Sequence, residues 1–337
     1  MVEKSIKITE EQWNSINIEN RKIVKDFLEQ STQLSAYTLN QYKSALEIYF
    51  WFIKENCENK AFYDIRSRDF LKFQNWLINR GLSSSAVKLK RSVVSSLNGY
   101  ILLYYEDEYP DFKNYISKKI PNLPSSFVNA KEPLNLDEYK NLCEKLEEKE
   151  LWQQLAYLKF SFSTSARRNE VRQLLKSVIN SDHLIKDVES KDKDGNKIVL
   201  QSKSYLTEDI RCKGRGKIGK IRKLQFDQGA MDAIKKWLEV RGEDDCPYVF
   251  VSIHGEKVSC ASVETFNYWC TNILEPIVGR RVHPHLLRES RATTLVVEQG
   301  KDISVAQKLL GHNSPQTTEI YIIRKDENAS DGAFTDG

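Results

Sequence analysis

Residues 204–226 read SYLTEDIRCKGRGKIGKIRKLQF, and this stretch decides between an all-helical chain and one that carries a sheet. Two β-prone runs, 204–212 and 220–226, flank a turn holding Gly214, Gly216 and Gly219. The pattern predicts a β-hairpin with a long loop. From Arg211 to Lys223 there are seven basic residues and no acid. Charges of one sign this close repel unless a polyanion neutralises them, so the hairpin points to a phosphate-bearing partner. The plainer reading of the same residues is a solvated, lysine-rich turn.

Outward from the hairpin the chain reads as helix. Upstream, helical patterns cover 135–148, 151–163 and 168–176, followed by a polar, poorly periodic stretch around 190–204. From 228 onward the pattern is helical again, apart from the short segment PYVFV at 247–251. Further upstream, Tyr42, Ala45, Leu46, Tyr49, Phe50 and Ile53 form one stripe of an amphipathic helix, with Ser35 as its N-cap. A shorter helix before it turns Ile23, Val24, Phe27 and Leu28 inward. A third starts after Ser67, buries Phe70, Phe73, Trp76 and Leu77, and stops at Gly81. A fourth starts in the serines at 83–85 and carries Ala86, Leu89, Val93, Leu97, Tyr100 and Tyr104 on one face. Prolines 121, 124 and 133 mark an extended linker. The expected organisation is a helical, DNA-binding domain over 1–118, a linker over 119–134, a catalytic domain over 135–325 and a flexible tail over 326–337. The expected fold class is mainly α with a small β component: a helical bundle followed by an α-rich α+β domain.

Composition narrows the function classes. The chain has 337 residues, with 51 Lys+Arg against 47 Asp+Glu and 40% hydrophobic residues. That is enough apolar content for two cores and too evenly charged for a disordered tail protein. No apolar run approaches a membrane span, and MVEKSIKITEEQW lacks the apolar core of a signal peptide. Cysteines 57, 143, 212, 246, 260 and 270 form no C-x-x-C pair and read as free thiols of a reducing cytosol. The net charge of +4 gives little hint of nucleic acid; the clustering at the hairpin gives more.

Three further segments carry chemistry. STSARRNEV, 163–171, places two arginines at a helix start, where cations oppose the macrodipole and call for an anion. HPHLLRESRATTL, 283–295, puts His285 and Arg288 on one helix face. His283 and His285 could suggest a metal, but no Cys or carboxylate set completes a site. VAQKLLGHNSPQTTEIYIIR, 305–324, closes a helix at Gly311, with His312 next and Tyr321 nine residues on. Taken singly, such a tyrosine reads as core and such a histidine as a cap. Together the segments form a phosphoryl-transfer kit. Guanidiniums clamp the non-bridging oxygens, a phenol attacks phosphorus, and a lysine protonates the leaving oxygen. The carboxylate cluster of a two-metal nuclease is missing from the sequence.

These segments resemble the tyrosine recombinases, also called phage integrases. The family motif T-G-x-R-x-x-E stands here as TSARRNE, placing its arginine on Arg167 and its acid on Glu170. The H-x-L-R box is HLLR, on His285 and Arg288, and the L-G-H…T-T…Y ending is LGHNSPQTTEIY, on His312 and Tyr321. The family lysine matches Lys213 in CKG, with Lys217 as the alternative in this long loop. The N-terminal half resembles the family's SAM-like core-binding domain, so the resemblance covers about 17–325.

The resemblance implies a site-specific recombinase working on double-stranded DNA through a 3′-phosphotyrosyl intermediate. Tyr321 would be the nucleophile and Arg167 and Arg288 the phosphate clamp. Lys213 would be the general acid, His285 an aid to proton transfer and His312 a phosphate contact, with Glu170 as support. No metal, ATP or other cofactor is called for. The implied assembly is a tetramer on paired sites, and a monomer or dimer off DNA. The implied setting is the cytoplasm of a bacterium hosting a phage or mobile element. By charge and position, DNA contacts are expected from Lys43, Lys88, Lys90, Arg91, Arg211, Arg215, Lys217 and Arg222.

Three departures stand out. Ser165 replaces the usual glycine, Glu289 follows Arg288 where a neutral residue or histidine is usual, and the tail DENASDGAFTDG does not read as the family's C-terminal helix. They motivate an alternative, a DNA-binding regulator such as a phage repressor on a recombinase scaffold. A type IB topoisomerase shares the phosphotyrosine chemistry but fits the core-binding half less well.

Overall fold

The computed structural model describes residues 6–116, 120, 132–191, 197–212 and 219–322. The chain separates into two compact units, a first within Met1–Ala130 and a second beginning at Lys131.

The first unit packs α1 (Glu10–Asn14), α2 (Ile18–Gln30), α3 (Ala36–Asn56), α4 (Ser67–Asn79) and α5 (Ser84–Tyr104). The start signals are local. Ser35 accepts from the Thr38 N–H and Ser83 from the Ala86 N–H, each satisfying a donor that a helix start leaves open. At the end of α4, Gly81 takes a left-handed φ of 77°. Ile23, Val24, Phe27, Ala45, Leu46, Tyr49, Phe50, Phe70 and Phe73 share one buried core. One expectation needs correction. The buried face of α5 is Val87, Val93, Val94, Leu97 and Ile101, whereas Leu89 is 38% exposed and Tyr104 is 67% exposed. This helix is apolar around much of its circumference, so periodicity chose a stripe displaced from the one that meets the core.

The second unit contains α6 (Leu136–Glu148), α7 (Trp152–Thr164), α8 (Arg168–Val171), β1 (Leu184–Lys191), β2 (Lys197–Leu206), β3 (Ile210–Cys212), β4 (Lys220–Arg222), β5 (Gln225–Phe226), α9 (Gln228–Arg241), β6 (Val251–His254), β7 (Lys257–Cys260), α10 (Val263–Trp269), α11 (Glu275–Val278), α12 (Pro284–Thr293), α13 (Ile303–Leu310) and α14 (Pro315–Glu319). Its core joins α7, α9 and α12 through Leu155, Phe160, Phe226, Ile234, Phe250, Phe266 and Leu287. The helix expected over 168–176 stops after one turn, and a 3-10 turn follows at Lys176–Asn180. Leu134, in the expected linker, is buried in this core, and its N–H donates to Ser290 Oγ at 2.8 Å. The linker's residues 121–131 and the tail after Ile322 lie outside the described residues.

The expected hairpin is real but broken. Ile210 pairs with Arg222 and Cys212 with Lys220, and on the other side of a gap Tyr205 pairs with Phe226. Thr207 bridges the gap: its N–H donates to Leu224 O and its hydroxyl accepts from the Leu224 N–H, both at 2.9 Å. A second hairpin was hidden in the polar stretch, where β1 pairs antiparallel with β2. Ile185 and Val199 on it are 55% and 65% exposed. Both stand on one face of the pair, and a solvated face carries no apolar alternation to reveal the strands. PYVFV likewise supplies only a bridge at Tyr248 and the first residue of β6, which forms a hairpin with β7. The overall class is the expected one, mainly α with a small β component.

Candidate active site

The site is built around the end of α13. A helix terminus leaves its last carbonyls without intrahelical donors and carries partial negative charge, so it attracts cations. Here two guanidiniums arrive. Arg222 Nη1 donates to Leu309 O at 3.1 Å, and Arg288 Nη2 donates to Leu310 O at 2.8 Å. Gly311 then turns the chain with φ 65° and hands it to His312. A Cβ on Gly311 would lie 2.5 Å from Arg222 Nη1, so the glycine answers both a conformation and a close approach. Gly311→Ala is expected to cost roughly 2–4 kcal/mol, combining left-handed strain with overpacking. Denaturant unfolding measures it. If the clash is the cause, shortening the neighbour in Gly311→Ala/Arg222→Lys recovers part of the loss.

Arg288 on α12 is 1% exposed. Besides Leu310 O it binds Ser165 O through Nη1, and its Nη2 lies 3.0 Å from His312 Nε2. Burial, and next the nearby Arg167 charge, lower it to about 10. It therefore remains cationic at neutral pH. Its Nε–H is buried with no hydrogen-bond partner among the described residues. The carbonyl it holds belongs to a strained residue, because Ser165 has φ 52° and is fully buried with an unsatisfied hydroxyl. Glycine is at ease there. Ser165→Gly is expected to stabilise by roughly 1 kcal/mol, about 2–4 °C in melting temperature by calorimetry.

Arg167 is the N-cap of α8, and Glu170 sits at the third helical position. The Glu170 carboxylate accepts from the Arg167 N–H at 3.1 Å and from Arg167 Nη1 at 3.0 Å. Arg222 Nη2 approaches it on the other side at 3.4 Å. Burial alone would push Glu170 up; the Arg167 backbone bond and the Arg167 and Arg222 charges outweigh it and hold the acid below its usual range. The anion that a helix start prefers is thus supplied by Glu170, which leaves Arg167, 30% exposed, facing outward.

Tyr321 follows α14 and packs against the cluster. Its ring lies 5.2 Å from that of His285, 4.9 Å from that of His312 and 5.4 Å from the Arg288 guanidinium carbon. Thr293 Oγ1 donates to Tyr321 O at 3.2 Å, tying the segment to α12. His285 Nε2 lies 3.7 Å from the buried Glu289 carboxylate. Neighbouring residues on a helix point in different directions, which is why Glu289 meets His285 on the turn before it while Arg288 faces the carbonyls. His283 caps α12, accepting the Leu286 N–H on Nδ1 at 3.1 Å.

The state of His312 follows from its partners. Arginine only donates, so Nε2 accepts from Arg288, and Nδ1 carries the proton and donates to Thr318 Oγ1 at 3.1 Å. Burial, then the Arg288, Arg167, Arg222 and His285 charges, lower the imidazole to about 4. The free chain titrates near 6.5. Between those values the unfolded state binds the extra proton, so this site's contribution to stability is complete above about pH 6.5 and lost as pH falls toward 4. Denaturant unfolding at about pH 7.5 and about pH 5 is expected to show a smaller loss for His312→Asn than for the unmodified protein. Equal losses would contradict the assignment.

Arg167, Glu170, His285, Arg288, His312 and Tyr321 are therefore brought together. The other expected contacts are dispersed. Lys43 is exposed beside Glu47 at 3.8 Å, Lys88 is exposed, and Lys90 is half-buried with its ammonium lowered by burial. Arg91 Nη1 donates to Gln74 Oε1 and Ile120 O, both at 3.1 Å, which ties it into its own unit. Arg211 is exposed, with its backbone held by Gln173. Lys213, Arg215 and Lys217 lie outside the described residues. Arg222, expected on the DNA side, instead points inward, with 16% of its side chain exposed. Alternation carried that signal, since Arg222 is two residues before buried Leu224 and four before buried Phe226. Thr318, fully buried three residues before Tyr321, was also missed. Among the described residues no group of three or more His, Cys, Asp or Glu could hold a metal, and no helix is long and apolar enough to cross a membrane.

Comparison with known proteins agrees with this geometry. The sequence pattern of the phage integrase family matches residues 132–328, and that of the phage integrase N-terminal SAM-like domain matches residues 25–102. The SPbeta prophage-derived recombinase-like protein YomM of Bacillus subtilis (strain 168) is 30% identical over 333 residues, covering 97% of this chain and 94% of that one. The tyrosine recombinase XerA of Pyrococcus furiosus is 30% identical over 283 residues, 83% of each chain. Among solved structures, the Tn1549 transposon integrase in complex with transposon right end DNA aligns with a TM-score of 0.65 at 11% identity, covering 93% of this chain and 98% of that one. The XerH recombinase on its palindromic difH substrate aligns with a TM-score of 0.61 at 20% identity, covering 89% and 80%. At these identities the structural likeness speaks for the fold.

Proposed function

Because the chain belongs to the phage integrase family of tyrosine recombinases, we propose that it cuts and rejoins duplex DNA at specific sites through a covalent 3′-phosphotyrosyl intermediate, with Tyr321 as the nucleophile. The observation that carries this reading is the convergence of Tyr321, two histidines and the Arg288 guanidinium on one spot beside an unsatisfied Arg288 Nε–H.

The residues act as follows. The Arg167 and Arg288 guanidiniums hold the non-bridging oxygens of the scissile phosphate and stabilise the charge that grows there at the pentacovalent stage. Arg288 is buried and its Nη2 is shared with His312 Nε2, so phosphate entry opens the site around the guanidinium and loosens that contact. The Tyr321 oxygen attacks phosphorus while His285, beside Glu289, takes up its proton. The bond to the 5′ oxygen breaks, and Lys213, or Lys217, protonates the leaving oxygen. The products are a 3′-phosphotyrosine and a 5′-hydroxyl, and attack by a second strand's 5′-hydroxyl reverses the steps. One phosphodiester replaces another, so the exchange conserves bond energy and consumes no ATP. The first unit binds the core of the site, and four copies assemble on two sites, in the cytoplasm where the DNA of a bacterium, phage or mobile element is accessible.

The test uses a nicked duplex carrying the sequence that the protein selects from a random duplex pool. Cleavage a few nucleotides 5′ of the nick, on the same strand, frees a short 5′-hydroxyl fragment that diffuses away and leaves the intermediate unable to religate. A denaturation-resistant protein–DNA adduct is expected. Sequence-specific binding with no adduct would leave a DNA-binding regulator on a recombinase scaffold, and relaxation of plasmid lacking the site would indicate a topoisomerase.

A further inference from the structure

The geometry points to Arg222 as a positioning residue of the active site, which holds the two halves of the phosphate-binding machinery in register and makes no contact with DNA itself. The inference rests on the phosphoryl-transfer reading of the site. One guanidinium touches three segments that are far apart in sequence. Nη2 reaches the buried Glu170 carboxylate at 3.4 Å, Nη1 reaches Leu309 O at 3.1 Å, and Nε donates to Cys212 Sγ at 3.3 Å. Each segment carries a group proposed for the chemistry. Glu170 orients Arg167, Leu309 lies at the helix end that presents His312, and Cys212 precedes Lys213 in the chain. The packing is specific, because the guanidinium lies so close to Gly311 that no larger residue fits there unmoved. A planar, five-donor head serves several acceptors at fixed angles, which a flexible ammonium cannot do. The engagement of Arg222 argues against a groove contact: its Nε, Nη1 and Nη2 all have partners within the chain, and it pairs with buried Ile210, whereas Arg211 on the paired strand is exposed.

Two measurements on the full-length protein separate positioning from DNA contact. Affinity for the selected duplex is followed against salt, and single-turnover adduct formation is followed on the nicked duplex at saturating protein. For Arg222→Met, the dissociation constant and the slope of log affinity against log salt are expected to match the unmodified protein, since no phosphate partner is lost. The rate at saturation is expected to fall roughly a hundredfold, the scale of a misplacement of about 1 Å. The amplitude of the turnover reports the folded, competent fraction, so a merely structural defect lowers amplitude and leaves the rate alone. Arg222→Lys, which keeps a charge beside Glu170, is expected to recover part of the rate; should Arg222→Met fail to fold, the Lys variant is read the same way. Weaker binding with a slope reduced by about one and an unchanged rate would overturn the inference in favour of a groove contact. An unchanged rate together with unchanged binding would overturn it as well. If the unmodified protein binds its site and forms no adduct, it is the underlying recombinase reading that falls.

Discussion

Tyr321→Phe is expected to bind its DNA site as the unmodified protein does and to form no covalent adduct at all. The substitution removes one oxygen and keeps the ring. The ring makes the contacts to His285, His312 and Arg288, and the backbone carbonyl takes the bond from Thr293, so the fold loses little. The nearby hydroxyl of Thr318 is no substitute nucleophile, because it is fully buried and engaged by His312 Nδ1. Filter binding and denaturing gels separate the two outcomes. A residual adduct of comparable amount would assign the nucleophile elsewhere and undo the roles given to both histidines.

Arg288→Ala is expected to damage fold and chemistry together. Truncation leaves the Ser165 and Leu310 carbonyls without their donor, strips His312 of the partner that sets its tautomer, and opens a void beside α13. Losing one partner from a buried charged network costs roughly 3–5 kcal/mol. Loss of a phosphate donor adds about 10²–10³ in rate on whatever remains folded. Arg288→Lys keeps a charge but lacks the planar fork that spans the two carbonyls and the phosphate, so it is expected to restore stability better than rate. Unfolding curves and single-turnover rates on the same samples test this; a variant that kept both within about twofold would remove Arg288 from the centre of the site.

The contrast between these residues shows what a sequence displays. His285 with Arg288, and Gly311 with His312, are separated by helical or turn spacing, so short motifs record them. The helices of the first unit were legible for the same reason, since caps such as Ser35 and Ser83 and an inward stripe are local features. Arg222 reads as one more positive charge in a basic hairpin, and its inward aim is decided by Glu170, 52 residues away, and by Leu309, 87 residues away. Thr318 is likewise defined by a ring nitrogen brought to it by the turn at Gly311. The β1–β2 hairpin failed to register because the face carrying Ile185 and Val199 stands in solvent and shows no apolar alternation. Ser165 was visible as a departure from the family motif. Its meaning, a left-handed residue whose carbonyl anchors Arg288, needed three dimensions.

The central claim is that Tyr321 is the nucleophile of a phosphoryl-transfer site built by α8, α12, α13 and the turn after α14. Its most direct test is the chemistry of the trapped adduct. Trypsin digestion of the adduct followed by mass spectrometry is predicted to find the nucleotide on the peptide Leu309–Arg324, joined to Tyr321 through a 3′-phosphate, with a free 5′-hydroxyl on the released strand. Attachment at another residue, or through a 5′-phosphate, would contradict it.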